Sequence, residues 1–403
     1  MKILFVVEKY PPVVGGGETH VQQVASDLVN LGHDVSVVTE RLLSQTGLEK
    51  YRDGSDGVRV VEIDGLVEAC QSLGFSRGLQ SLHKVLSSTD ADIIHVFNYV
   101  PAMMVSLIRS AVTVPLVVSL FETHVPEVRV FDHYEDYSLE RSLQRSLADN
   151  LRPDLMICGS HAYIKWAEDG GFSVPTRLVE FGTDLTRFKV DSRTRQRERT
   201  RYGWDGEVVF LAPARPVPRK RLEDAIRALA QLPQVPSSRL VLTAPVGRTS
   251  EPYAESLNEL ADCLGVSDRV SWLTGLSWVD MPALYAACDA VVLPSSHEGW
   301  GIALNEGMAA GRPVITTDIE GHDEVVRDGE TGYLYPPGDI DGLTARMVQV
   351  LTADESQVRQ IAIRGMAEAQ MRFDRKQVAA RHADAYAWVR STVGQTHPEQ
   401  MWA

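Results

Sequence analysis

The chain has 403 residues, of which 44% are hydrophobic and 23% are charged, and its formal net charge is −14. This length suits two α/β domains, and no apolar run approaches the roughly 18 residues of a membrane span, so the sequence predicts a soluble protein. The acidic balance argues against nucleic acid as a partner and against firm membrane binding, because clustered Lys and Arg hold both.

The cysteines and the N-terminus indicate a cytoplasmic protein. The first apolar run, residues 3–7, is followed by Glu8 and Lys9 without a small-residue cleavage site, which favours a buried strand over a secretion signal. No Cys-x-x-Cys pair is present, so neither a disulfide framework nor a zinc site is predicted. The four cysteines are Cys70, Cys158, Cys263 and Cys288.

The first half of the chain alternates buried strands with amphipathic helices. Apolar residues at helical spacing occupy 21–31 and stop before Gly32, which predicts a helix that links two parallel strands. Continuous apolar runs of strand length are typical of parallel strands covered on both faces. These runs are residues 3–7, 35–39, 93–97, 116–120 and 155–158.

The second half repeats this pattern after a polar stretch that is rich in arginine. We interpret residues 189–206 as a solvated linker between domain 1–188 and domain 207–375, followed by a terminal helix and tail at 376–403. Helices are predicted at 222–232 and 256–264. The strands predicted for this half are residues 208–212, 240–243, 270–273, 290–293 and 314–316.

The segment after the strand at 290–293 carries two glutamates around a glycine turn. It reads Glu298-Gly-Trp-Gly-Ile-Ala-Leu-Asn-Glu306, and a helix is predicted from residue 302 to residue 310. Carboxylates accept hydrogen bonds from sugar hydroxyls, while free N–H groups and the helix dipole suit a phosphate. The segment therefore predicts a polar-ligand site that can hold phosphate. The alternative is one helix-start charge and one solvated charge.

A basic loop follows the first strand of the second half. It reads Ala212-Pro-Ala-Arg215-Pro-Val-Pro-Arg-Lys220 and leads into the next helix. Two fixed cations at the carboxyl edge of a sheet can neutralise a diphosphate leaving group. Taken alone, the loop fits a solvated surface better.

A glycine run lies between the first strand and the first helix. Gly15, Gly16 and Gly17 let the backbone approach a phosphate or a sugar closely, although a tight structural turn is the alternative. Neither half carries the Gly-x-Gly-x-x-Gly fingerprint, so an oxidoreductase that uses a dinucleotide is disfavoured.

Together these motifs resemble the retaining GT-B glycosyltransferases of family 4 (group 1), which include sucrose synthases and bacterial mannosyltransferases. The resemblance extends from Met1 to about residue 373 and includes the segments 179–188, 311–318 and 324–332. The paired glutamates of the family match Glu298 and Glu306. The resemblance implies an α/β GT-B fold, with two Rossmann-like domains facing across a cleft and a terminal helix that crosses back to the first.

The resemblance also implies a role for each motif. Glu306 would hold the ribose hydroxyls, Glu298 the donor sugar, and Arg215 with Lys220 the departing diphosphate. His124 would replace a family histidine that ungapped comparison places at Phe121. The implied catalytic residues are Arg215, Lys220, Glu298 and His124, and the implied donor-binding residues are Gly15, Gly16, Gly17, Gly299, Trp300, Gly301, Ile302 and Glu306.

The expected activity is a retaining transfer of a hexose or amino-hexose from a UDP- or GDP-type nucleotide sugar to a hydroxyl of a small molecule or glycan. No Asp-x-Asp motif accompanies the donor segments, so neither a metal nor another cofactor is expected. The acidic stretch 122–140 suggests an amine-bearing acceptor, although an exposed acidic face is the simpler interpretation. Departures from the family at 243–247 and at Gly321 leave the base open.

Two other classes share this architecture. One is a nucleotide-sugar epimerase of GT-B shape, and the other is a catalytically silent sugar-binding protein. The four charged motif residues favour transfer, because the fold alone does not require them. Assembly into a homo-oligomer stays open.

Overall fold

The computed structural model describes residues 1–12, 15–41, 56–66, 75–121, 138–235, 237–244, 251–277, 279–352 and 354–393. The chain divides into two compact units. The first contains Met1–Gly182 together with Arg375–Ala403, and the second contains Thr183–Asp374. Within the described ranges, no helix is both long enough and apolar enough to cross a membrane.

The first unit is built on a parallel sheet of seven strands in the order β3-β2-β1-β4-β5-β6-β7. The order reverses between β1 and β4, which is where open α/β sheets place their ligand crevice. The five predicted strands form, and two edge strands, β3 and β7, are added. The strands are β1 Lys2–Val6, β2 Asp34–Glu40, β3 Arg59–Ile63, β4 Ile93–Phe97, β5 Leu116–Ser119, β6 Leu155–Cys158 and β7 Thr176–Leu178.

Five helices of the first unit follow strands in the chain, and a sixth comes from the C-terminus. The buried side chains of α1 recur every three or four residues, as the sequence pattern predicts. The helices are α1 Gly16–Asn30, α2 Phe75–Ser88, α3 Tyr99–Leu107, α4 Ser138–Leu151, α5 His161–Asp169 and the C-terminal helix Arg375–Val393.

The C-terminal helix packs on α1, which confirms that the end of the chain crosses back to the first unit. Val378, Tyr386 and Val389 are fully buried in the same apolar core as the inner face of α1. Arg375 makes two hydrogen bonds to Asp27 of α1, of 2.5 and 2.9 Å. Apolar burial and a bidentate charge pair therefore hold this helix to the first unit.

Three buried histidines lie together here: His382 is on this helix, and His20 and His95 are close to it. His95 on β4 contacts the Tyr386 hydroxyl at 2.7 Å and the Ser119 hydroxyl at 2.9 Å. Burial lowers the pKa of His20 and of His95 well below the ordinary value, and it lowers the pKa of His382 to about 4. All three rings are therefore neutral at neutral pH.

We expect the first unit to lose stability in acid. The unfolded chain takes up protons below the ordinary histidine pKa of 6.5, whereas the native rings do not, so the free energy of unfolding falls as the pH drops from 6.5 towards 4. His382→Leu should flatten this dependence by about 1.4 kcal/mol per pH unit, the contribution of one proton. Denaturant unfolding at several pH values measures the slope. The same replacement of the exposed His83 should leave the slope unchanged, and equal slopes for both variants would contradict the account.

The second unit is built on a parallel sheet of six strands in the order β10-β9-β8-β11-β12-β13. Its order reverses between β8 and β11. The five predicted strands form, and the short β13 is added at the edge. The strands are β8 Val208–Ala212, β9 Ser238–Ala244, β10 Val270–Thr274, β11 Ala290–Leu293, β12 Val314–Thr317 and β13 Tyr333–Tyr335.

Helices surround this sheet, and α7 has the clearest apolar face. Leu222, Ala225, Ile226 and Leu229 are fully buried along it, while Arg227 and Gln231 point outwards. The helices are α6 Ser192–Tyr202, α7 Leu222–Gln231, α8 Glu251–Cys263, α9 Met281–Ala287, α10 Ile302–Ala309, α11 Ile340–Thr352 and α12 Glu355–Arg372.

The stretch interpreted as a solvated linker, 189–206, is instead α6 of the second unit. The Asp191 carboxylate caps its first turn, and Gly203, with φ of 72°, ends it. Arg195 and Arg199 donate to the carbonyls at the end of α9 and pair with Asp289 at 2.6 and 3.0 Å. The basic run is therefore structural, because its guanidinium groups neutralise helix-end carbonyls and a half-buried carboxylate.

The unit boundaries also differ from the sequence interpretation. The first unit ends at Gly182 rather than at residue 188, and the second takes up the whole of 189–206. The helix Arg375–Val393 belongs to the first unit rather than standing as a separate segment. Composition marks where charge is high, but it does not reveal which sheet a charged helix covers.

Candidate active site

Two loops meet at the carboxyl edge of the second sheet, where the strand order reverses. Loop 213–221 follows β8 and loop 294–301 follows β11, and these strands are neighbours through Phe210 and Ala290. The Ser296 amide and hydroxyl both donate to the Arg219 carbonyl, at 2.9 and 3.2 Å. The two loops are therefore joined by direct hydrogen bonds.

Lys220 is held in place by its local backbone. It is the last residue of a single 3-10 turn, Pro218–Lys220, which starts at a proline. Its amide donates to the Val217 carbonyl at 2.9 Å, and Arg221 then takes a left-handed conformation, with φ of 47°, before α7 begins. Proline and this tight turn restrict the loop and so fix where the lysine side chain starts.

Lys220 and Glu298 form an ion pair whose side chains are only 13% and 10% exposed. Arg219 approaches the second oxygen of the same carboxylate at 3.2 Å. The Ser295 hydroxyl donates to Glu298 Oε1 at 2.9 Å. One carboxylate therefore receives two cations and a hydroxyl donor in a largely buried place.

The charged side chains at this site shift one another's pKa values. Burial alone would raise the pKa of Glu298. Lys220 and Arg219 together lower this pKa by more than burial raises it, so it lies well below its ordinary value. Burial lowers the pKa of Lys220, and Arg219 and Arg215 lower it as well, while Glu298 acts in the opposite direction. Lys220 and Arg219 thus act on one carboxylate, and Arg215 acts on Lys220. Cations gathered in this way suit an anionic ligand.

Glycines shape the loop between Glu298 and α10. Gly301 has φ of 86° and immediately precedes Ile302, the first residue of α10. Gly321, with φ of 89°, lies so close to this loop that a Cβ there would come within 2.8 Å of the Gly299 carbonyl. Only glycine fits both positions without strain, so the shape of this loop depends on both glycines.

The side chain of Trp300 has a structural role in this loop. Its indole is 3% exposed and meets the Phe373 ring edge-on at 5.4 Å. The ring anchors the loop in the core.

Glu306 lies one turn inside α10 with a partner from the preceding helix. The Tyr285 hydroxyl donates to Glu306 Oε2 at 2.7 Å. Burial raises the pKa of Glu306 to about 7, although Tyr285 and Arg187 act to lower it. This carboxylate therefore changes its charge near neutral pH.

The structure brings three of the residues proposed from the sequence, Arg215, Lys220 and Glu298, into one electrostatic cluster. The structure places the other predicted residues of this unit, Gly299, Trp300, Gly301, Ile302 and Glu306, in the same loop and helix. Sequence reasoning missed Arg219, Ser295, Tyr285 and His322, which become visible once β8, β11 and β12 are known to be neighbours.

The predicted residues of the first unit that the structure describes lie at the start of α1. Gly15 precedes α1, its carbonyl accepts from the Thr19 amide at 3.0 Å, and Gly16 and Gly17 form the first turn. Their role towards a donor stays a prediction. His124 and most of the acidic stretch 122–140 lie outside the described residues. In the described part of the chain, no three His, Cys, Asp or Glu side chains are grouped to hold a metal ion.

A Rossmann-like unit whose helix terminus and cation cluster suit a phosphate is typical of enzymes that bind nucleotides. The family model described as "Glycosyl transferases group 1" matches residues 194–363, and the "Glycosyl transferase 4-like domain" model matches residues 15–160. The chain belongs to the group 1 glycosyltransferases of the GT-B fold and is a glycosyltransferase.

Two curated relatives align along most of the chain. The GDP-mannose-dependent alpha-(1-6)-phosphatidylinositol monomannoside mannosyltransferase of Mycolicibacterium smegmatis is 26% identical over 374 residues, covering 90% of this chain and 92% of the relative. The D-inositol 3-phosphate glycosyltransferase of Rhodococcus erythropolis is 27% identical over 406 residues, covering 94% of this chain and 85% of the relative.

Solved structures support the fold. The complex of Anabaena Alr3699/HepE with UDP-glucose has a TM-score of 0.80 at 23% identity, covering 96% of this chain and all of that one. The sucrose-phosphate synthase of Thermosynechococcus elongatus has a TM-score of 0.82 at 20% identity, covering 97% of this chain and 99% of that one. The predicted α/β GT-B fold is confirmed.

Proposed function

We propose that this glycosyltransferase moves a sugar from a nucleoside diphosphate sugar to an acceptor hydroxyl with retention of anomeric configuration. The observation that carries the proposal is the buried Lys220–Glu298 pair with Arg219 and Arg215 beside it. The three cations gathered in this cluster match a leaving group that gains negative charge as its bond to the sugar breaks.

Each residue has a defined task in this mechanism. Lys220 and Arg215 stabilise the departing diphosphate, and Glu298 accepts hydrogen bonds from the donor sugar. The acceptor oxygen bonds to the anomeric carbon on the face that the diphosphate leaves, and the diphosphate takes the proton of the acceptor hydroxyl. Catalysis then depends on positioning and electrostatics rather than on a side-chain base.

The donor is a UDP- or GDP-linked hexose or amino-hexose. The names of the relatives support this class, because one is called GDP-mannose-dependent and one structural neighbour is described in complex with UDP-glucose. The acceptor is a small molecule or glycan, and the acidic stretch 122–140 makes an amine-bearing acceptor the variant to test first. Because fixed cations serve the diphosphate, the reaction needs no metal.

The experiment uses purified protein, EDTA, and UDP-glucose, UDP-N-acetylglucosamine or GDP-mannose, each with and without a panel of hydroxyl acceptors that includes amino sugars. We expect nucleoside diphosphate release that depends on an acceptor, with the product anomer read by proton NMR. Conversion of a donor without an acceptor would indicate an epimerase. Product of inverted configuration, or activity that disappears in EDTA and returns with Mg²⁺, would contradict the proposed mechanism.

Nucleotide binding should depend on the ionisation of Glu306. A ribose hydroxyl donates to the carboxylate, so affinity is full above the Glu306 pKa of about 7 and weakens as the pH falls through it. Tyr285→Phe removes a hydrogen bond that lowers this pKa, so the midpoint should move to higher pH. Titration calorimetry of UDP and GDP between about pH 6 and pH 9 measures the midpoint.

Tyr335→Phe is the matched control, because it removes a buried hydroxyl of the same unit that is not at Glu306. The ionisation of the nucleotide phosphate is common to all three proteins and cancels when their midpoints are compared. Identical midpoints for wild type and Tyr285→Phe would contradict a role for the Glu306 carboxylate.

A further inference from the structure

His322 is a buried imidazole at the edge of the candidate site. It lies in the segment after β12 and has no exposed surface. Its Nδ1 atom is 2.7 Å from the Thr316 hydroxyl oxygen and 3.3 Å from that of Thr317. It also interacts electrostatically with Glu298.

The hydrogen bonds of the two threonines determine the tautomer of this ring. The Thr316 hydroxyl donates to the Leu293 carbonyl at 2.8 Å, and the Thr317 hydroxyl donates to the Ser295 carbonyl at 2.7 Å. Each hydroxyl has a single proton, so both oxygens can only accept from His322. Nδ1 therefore carries the hydrogen, and Nε2 presents a lone pair.

The Nε2 atom has no hydrogen-bond partner among the described residues. A Cβ built on Gly301 would lie 2.9 Å from it, so the nitrogen rests against the backbone at the start of α10. Burial lowers the pKa of His322 to about 4, which keeps the ring neutral at neutral pH. A buried acceptor without a partner costs free energy, and in a ligand site it indicates a donor that arrives with the ligand.

We propose that His322 is a specificity-determining residue of the donor site, whose Nε2 atom accepts a hydrogen bond from a hydroxyl of the donor sugar. The inference rests on the proposed function. The pyrophosphate of a nucleotide sugar has no proton to donate at neutral pH, whereas each sugar hydroxyl has one. Because Gly301 has no Cβ, it places no side-chain atom beside Nε2, and a small shift of the loop at Gly301 lets a hydroxyl reach the nitrogen.

Two amide variants separate this role from simple packing. In His322→Asn the shorter side chain can still donate to Thr316 but has no acceptor at the Nε2 position. In His322→Gln the longer side chain places its amide oxygen near that position. Titration calorimetry with UDP, GDP, UDP-glucose and GDP-mannose gives the affinity for each nucleotide with and without its sugar.

The comparison uses the nucleotide base that wild type prefers. His322→Asn should bind the nucleotide sugar about tenfold more weakly than wild type, which corresponds to the loss of one hydrogen bond. Its affinity for the nucleoside diphosphate should stay within about twofold of the wild-type affinity. His322→Gln should recover most of the sugar affinity. Equal weakening of both ligands, unchanged affinity, or no recovery in His322→Gln would each overturn the inference. If wild type binds none of the four ligands, the proposed function fails first, and the inference fails with it.

Discussion

Replacing Lys220 with methionine should lower kcat by about 10² or more, the effect of losing one preorganised donor to a developing anion. Methionine keeps much of the lysine volume but removes the charge that faces Glu298. The affinity for the donor should fall by a smaller factor than kcat, because the diphosphate gains its full charge only as its bond to the sugar breaks. Steady-state kinetics with the preferred donor and acceptor measures both parameters.

The replacement also breaks a buried ion pair, which typically costs roughly 3–5 kcal/mol of stability. Arg239→Met is the matched control, because Arg239 pairs with Glu207 in the same unit, with both side chains about as buried, but at the start of β8 rather than at its end. The control should be destabilised and still fully active at a temperature where it is folded. A folded Lys220→Met enzyme with near wild-type kcat would contradict the role of the lysine.

Glu298→Gln should reduce kcat/KM by about 10² or more and change its pH dependence, because sugar contacts and the charge balance are lost together. Glu298 raises the pKa of Lys220 against the effect of burial and of two arginines. Without this carboxylate, Lys220 loses its proton at a lower pH. The alkaline limb of the pH–rate profile should therefore move towards neutral pH.

Glu207→Gln provides the comparison for this experiment, since it breaks the pair with Arg239 at the opposite edge of the sheet. Its alkaline limb should coincide with that of wild type. If Glu298→Gln lowers activity but the alkaline limb of its pH–rate profile stays at the wild-type pH, the effect of Glu298 on the Lys220 pKa does not determine the pH dependence of the reaction.

The strands and the chemistry at their ends could be predicted from the sequence because both leave local signals. Buried parallel strands appear as continuous apolar runs, and all ten predicted strands form. The edge strands β3, β7 and β13 escaped prediction because they are short or only half-buried, so their patterns are weak.

The helix α6 shows why composition misleads. A stretch with five arginines among eleven residues looks solvated, but Arg195 and Arg199 lie against α9 and Asp289. Their partners are about 90 residues away in sequence, and no local pattern reveals them. The cap at Asp191 and the left-handed glycine at 203 are local helix signals that the interpretation as a linker overlooked.

The site residues that the sequence analysis missed could also not be found from a local pattern, because their contacts depend on the order of the strands. Tyr285 and His322 come from segments outside the motifs. Tyr285 reaches Glu306 because α9 and α10 flank β11, and His322 reaches Gly301 because β12 is the neighbour of β11. Arg219 and Ser295 lie within or beside the motifs, but only the joined loops reveal that both point at Glu298.

A crystal structure with the preferred nucleoside diphosphate, grown in EDTA, tests the central claim most directly. We expect the outer phosphate within hydrogen-bond distance of Lys220 Nζ and the Arg215 guanidinium, and the ribose hydroxyls on the Glu306 carboxylate. A diphosphate bound elsewhere, with no ligand atom near Lys220 or Glu298, would contradict the claim that this cluster receives the leaving group.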